Sequence, residues 1–142
     1  MHRFFARLVP LAVLVLAMSG CGDGETPTEP EPPATILETF PVTEPGTLTQ
    51  NGAFSFPFTV TVGGSMEAVL TQLEPDTNSP VGFGMGTWNG SVCQVVLAVD
   101  NAIQGTRVLA NSSAVGDYCV RVYDSTGTVV RPQTFRIVVA HQ

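Results

Sequence analysis

From Ile36 onward, apolar and polar residues alternate with a period of two. Phe54, Phe56, Phe58, Val60 and Val62 alternate with Ser55, Pro57, Thr59 and Thr61, the pattern of a strand with one face buried and one in water. Pro57 lacks an N–H to donate, which places that strand at a sheet edge or a bulge. Met66, Ala68 and Leu70 repeat the alternation after Gly63-Gly64, and Val81, Phe83 and Met85 repeat it again. Val95 to Val99 is an unbroken apolar run, which predicts a central strand. Val108 with Ala110, then Tyr118, Val120 and Val122, then Phe135, Ile137 and Val139 bring the expectation to about seven or eight short strands.

Asn51-Gly52, Gly63-Gly64 and Asn89-Gly90 lie between these runs and predict two-residue hairpins, because Gly and Asn adopt positive φ at little cost. Ser125-Thr126-Gly127 suits a longer loop. Helical periodicity is missing from every longer window of this part of the chain. Strands at such intervals, separated by turn residues, predict an all-β fold, a single antiparallel β-sandwich of jelly-roll or immunoglobulin-like type over residues 36–142.

The preceding residues have a different grammar. Arg3 and Arg7 make a positive start, and Leu8 to Met18 is an apolar run of 11 residues, the span of a signal h-region and too short for a bilayer-crossing helix. The segment Leu16-Ala17-Met18-Ser19-Gly20-Cys21 resembles the lipobox of bacterial lipoproteins, with Met18 where leucine is usual. The resemblance implies a signal peptide over 1–20, cleavage before Cys21 and acylation of that cysteine, making the lipid bilayer the first partner. Two or more acyl chains anchor firmly where one holds marginally, since each buried methylene contributes about 0.8 kcal/mol. Gly22, rather than aspartate, follows the cysteine, which in a Gram-negative host permits transfer to the outer membrane. Residues 22–35 are rich in Pro and acids and offer no large apolar side chain. At about 3.1 Å per residue they form an extended stalk with a reach on the order of 40 Å, so 21–35 reads as lipidated cysteine plus linker.

Charge narrows the partners. The chain has no lysine, and loss of Arg3 and Arg7 leaves four arginines against 12 acids, a formal charge of −8. Four of those acids (Asp23, Glu25, Glu29 and Glu31) belong to the linker, so the folded part carries −4. Such a surface lacks the cations that neutralise phosphates, which argues against nucleic acid.

Chemistry-bearing residues are sparse. With Cys21 assigned to lipid, Cys93 and Cys119 remain as a disulfide pair for an oxidising compartment, closing a loop whose chain-entropy contribution is roughly 3.5 kcal/mol. Cys119 points away from Tyr118, Val120 and Val122, which sets the bridge on the opposite sheet face. Neither thiol has a CxxC partner or a neighbouring cation to support redox catalysis. His2 leaves with the signal, and His141 is expected as a solvated residue at a frayed end, which leaves no histidine for a catalytic triad. Zinc and copper lack ligands, so no cofactor is expected apart from weak calcium binding at Asp100 with Asn101, at Asp124, or at Asp76 with Asn78. Asp and Asn are equally the ordinary residues of turns. Trp88 beside Asn89-Gly90 is the one candidate ligand contact, as a platform for a sugar. Gly82, Gly84 and Gly86 strip one face of their strand, which suits close packing by a bulky neighbour or a flat slot for a ligand.

The run Val81-Gly82-Phe83-Gly84-Met85-Gly86-Thr87-Trp88, the segment Gly116-Asp117-Tyr118-Cys119-Val120-Arg121-Val122-Tyr123-Asp124 and the closing Thr134-Phe135-Arg136-Ile137-Val138-Val139 resemble bacterial pre-peptidase C-terminal-type domains. That resemblance implies a secreted β-sandwich serving as an accessory or binding module. The expectation is thus a non-enzymatic envelope lipoprotein whose sandwich binds or supports a protein or polysaccharide. The alternatives are a carbohydrate- or calcium-binding accessory to a separate secreted hydrolase, and a hydrolase using Asp100 or Asp124.

Overall fold

The computed structural model describes residues 31–142; Cys21, the signal segment and most of the linker lie outside the described residues. Nine strands follow one another: β1 Ile36–Phe40, β2 Gly46–Leu48, β3 Ala53–Val60, β4 Gly64–Glu74, β5 Val81–Trp88, β6 Cys93–Ala102, β7 Arg107–Ser112, β8 Gly116–Tyr123 and β9 Gln133–His141. No helix occurs among the described residues. One sheet has the order β1-β9-β4-β7, with β2 also paired to β9, and the other has the order β3-β8-β5-β6. All pairings are antiparallel, giving the sandwich that the alternation implies.

The alternation fixes which side chains meet between the sheets. In β9 every second residue is buried, so Gln133, Phe135, Ile137, Val139 and His141 all face inward. In β4, Met66, Ala68 and Leu70 face inward, and a bulge between Leu70 and Gln72 shifts the phase so that Leu73 is buried too. Phe58 and Val60 of β3 join Phe83 and Met85 of β5 and Val120 and Val122 of β8 in the same core. Val62 lies beyond the strand and is exposed. Pro57 sits on β3, an edge strand, where its missing donor costs nothing. The Tyr118 hydroxyl reaches back to the Ala114 carbonyl at 3.0 Å and to the Ser112 hydroxyl at 2.8 Å, tying the β7–β8 connection as tyrosine corners do.

Several expectations change. Only Asn89-Gly90 lies in a hairpin, between the paired β5 and β6, and its loop runs over four residues from Asn89 to Val92. There the Asn89 carboxamide oxygen accepts from the backbone N–H groups of Ser91 and Val92. Asn51-Gly52 and Gly63-Gly64 are turns in which the chain passes from one sheet to the other. Asn51 takes the positive φ of 57° that its residue type tolerates. The run Val95 to Val99 is not central: β6 ends its sheet, and Val96 is 73% exposed. The middle of that sheet is β8 and β5. His141 is not solvated either. It ends β9 at 1% exposure, with its ring 5.2 Å from Phe58 and Nε2 2.8 Å from Glu38 Oε1 on β1. Pairing with β1 holds that terminus in the sheet through His141.

Candidate binding edge between the two sheets

On the outer face of the β3-β8-β5-β6 sheet, Gly82, Gly84 and Gly86 stand in register with Tyr123, Arg121 and Cys119 of β8. A methyl group at Gly82 would overlap the Tyr123 ring, and one at Gly86 would overlap the Gln94 carbonyl oxygen. The missing side chain at Gly82 therefore lets Tyr123 of β8 reach over β5 to β6, while at Gly86 it lets the backbone of β6 come close. Tyr123 crosses Gly82 and donates its hydroxyl to Asp100 Oδ1 at 2.8 Å. Cys119 bonds to Cys93, with a Cα separation of 5.7 Å and on the face opposite the core residues Val120 and Val122. All three glycines are buried, so the stripe is a floor for the protein's own side chains and not an open slot. Arg121 lies between the two clasps, its guanidinium carbon 5.6 Å from the Tyr123 ring centroid. Burial raises the Tyr123 phenol above its ordinary value, and the hydrogen bond to Asp100 and that carboxylate's charge add to the rise, with Arg121 opposing.

The structure gives the other candidate residues separate tasks. Asp124 accepts from the backbone N–H groups of Asn51 and Thr128, both at 3.0 Å, and of Val129 at 3.3 Å, so it organises the β8–β9 loop against the Asn51 turn. Burial pushes its carboxyl up, but the N–H donors of Asn51, Val129, Thr128 and Thr126 outweigh that and lower it. Asp76 caps its own turn through the Asn78 N–H. Among the described residues no three His, Cys, Asp or Glu side chains cluster as metal ligands would. Trp88 is half-buried at the end of β5, in register with Cys93.

What the sequence did not reveal is where the sandwich stays open. The free edges β6 and β7 border one apolar cleft of about 240 Å³, lined by Met66, Met85, Val96, Leu97, Ala110 and Tyr118 among others. In its lining Val96 and Leu97 are exposed, the first at 73%. On β7 the cleft meets only a small inward side chain, Ala110. The two edges differ. β6 carries two register shifts, at Val95/Leu97 and at Val99/Ala102, which interrupt its row of free backbone groups. β7 pairs with β4 without a break from Arg107 to Ser112, so its outer row of N–H and C=O groups is regular. Arg107 at its start is held by Glu67 at 2.8 Å.

No family model matches the chain, and no curated protein matches it. Among solved structures, the chain is similar to the Yersinia pseudotuberculosis-derived mitogen, with 13% identity, coverage of 78% of this chain and 87% of that one, and a TM-score of 0.51. A second similar structure is the Aeromonas hydrophila protein PliG, a periplasmic inhibitor of g-type lysozyme. It shows 14% identity, coverage of 75% and 84%, and a TM-score of 0.46. At these identities the likeness to the mitogen is one of fold: a two-sheet β domain with little shared sequence.

Proposed function

We propose that the mature protein is a lipid-anchored, non-catalytic binding module of the bacterial cell envelope, held by acylated Cys21 and carried away from the bilayer on its Pro- and Glu-rich stalk. The observation that carries the binding role is the apolar cleft between β6 and β7, with Val96 and Leu97 exposed in its lining. The Cys93–Cys119 bridge fits an oxidising compartment outside the cytoplasm. Asp100, Asp124 and Asp76 each hold a neighbouring segment in place, a structural use of the acids that a hydrolase would need free. The pre-peptidase C-terminal-type resemblance agrees with this reading at the level of a β-sandwich accessory module.

The test has two arms. Metabolic labelling with palmitate and membrane fractionation should show a labelled, membrane-bound protein, and Cys21→Ser should abolish the label and release the chain. Cross-linking in intact cells, followed by recovery of the full chain, should then capture a discrete envelope component. An unlabelled soluble wild type sinks the anchor. A turnover of envelope polymers that is lost on Asp100→Asn or Asp124→Asn sinks the non-catalytic reading.

A further inference from the structure

The geometry points to β7 as the docking edge: an extended segment of a partner protein adds to it as a further strand and places one bulky apolar side chain in the cleft. This inference rests on the binding-module reading and names its site. Inward-facing positions on β7 are Val108, Ala110 and Ser112, so a residue opposite Ala110 on an added strand also points between the sheets. There it meets Met66, Met85, Val96 and Leu97. Two of those walls are methionines, which adapt to different apolar shapes. At about 240 Å³ the cleft exceeds the roughly 150 Å³ that encloses benzene, and it falls short of the about 300 Å³ at which small-molecule pockets begin. It is sized for a leucine, methionine or phenylalanine side chain.

A second copy of this chain fits less well. Symmetric β7–β7 pairing keeps inward residues opposite inward residues, so the copy would offer the cleft nothing larger than Val108. A β6–β6 pairing would set two bulged edges against each other. The charge of the folded part, four arginines against eight acids, favours a segment with basic flanks. The occupant is thus a segment that alternates polar and apolar residues, has one large apolar side chain at its centre, and carries lysine or arginine at its ends.

The probe is a fluorescent peptide of alternating threonine and valine with a central leucine and a lysine at each end, titrated by anisotropy against the full chain in detergent micelles. Saturable binding is expected, with hydrogen-exchange protection gained over residues 107–112. Replacing the central leucine by alanine should weaken binding by about tenfold or more. N-methylation of the amides that face β7 should abolish it. Ala110→Leu, which fills the cleft from within, should also weaken binding by about tenfold or more; the two peptide changes decide the matter even if that variant misfolds. Absence of saturable binding, protection gained elsewhere, or indifference to the leucine overturns the proposal, as does a concentration-dependent dimer protected at β7. Capture of the envelope partner by wild type and Ala110→Leu alike removes the cleft and leaves the binding module standing. Failure of wild type to capture any partner removes the module itself.

Discussion

Replacing Cys93 and Cys119 together by alanine removes the covalent clasp that holds β6 to β8 across β5. The cysteines are 26 positions apart, and a cross-link of that span lowers the entropy of the unfolded chain by an amount equivalent to roughly 3.5 kcal/mol. Unfolding entropy near the midpoint is about 2.1 cal/mol/K per residue, so over the compact unit Pro32–Gln142 the loss corresponds to a fall in Tm of roughly 15 °C. Trp88, the single tryptophan, stands in register with Cys93 and reports on this corner by fluorescence. Guanidinium unfolding followed through Trp88 and through far-UV circular dichroism should give coincident transitions, with a lower midpoint and a larger m-value as the unfolded chain expands. Hydrogen exchange should speed up first in β6, because that edge then keeps its ladder to β5 and, across β5, the bonds of Tyr123 and Ser125 to Asp100. A shift in Tm below about 3 °C would refute the reasoning, showing that the bridge does not constrain the unfolded chain as its span requires.

Three further outcomes follow from the outer clasp and the loops. Gly82→Ala should displace the Tyr123 ring from β5 and break its bond to Asp100, destabilising the domain by about 1–3 kcal/mol in chemical denaturation, whereas Gly90→Ala, which meets no neighbouring atom, costs only its backbone strain. In an absorbance titration of the phenols, Tyr123 should ionise above the ordinary tyrosine value, and Asp100→Asn should bring it down. Its folded pKa is raised, so its contribution to stability is complete below about pH 10 and is lost as pH rises through the raised value. Asp124→Ala should loosen the β8–β9 loop at a cost of about 1–2 kcal/mol. With the Asp124 carboxyl lowered by folding, its contribution is present above the ordinary value of 3.8 and is lost as pH falls through the lowered one. Thermal melts across the acid range should therefore show a shallower decline for the variant.

The alternation of Phe58 and Val60, of Phe83 and Met85, of Val120 and Val122, and of Phe135, Ile137 and Val139 by itself determined the strands and their buried faces, because side chains on a strand alternate whatever the strand pairs with. The pairing of Cys93 with Cys119 was equally legible once the lipobox resemblance set Cys21 aside as the expected site of acylation. Which strand lies beside which was not, because the neighbours of β9 and β8 come from distant parts of the chain and the pattern along one strand does not name its partner. Val95 to Val99 reads as central but ends its sheet: its bulges rotate apolar residues out to the edge, where no further strand arrives to cover them. His141 reads as frayed but is buried, because Glu38 and Phe58, far away in sequence, close over it. The glycine stripe announced a close approach, and only the tertiary structure supplied the Tyr123 ring that lies across Gly82 and the Gln94 backbone that comes close at Gly86. The cleft beside Ala110 likewise depends on two sheets leaving their free edges on the same side, a relation between strands that no single stretch of sequence encodes.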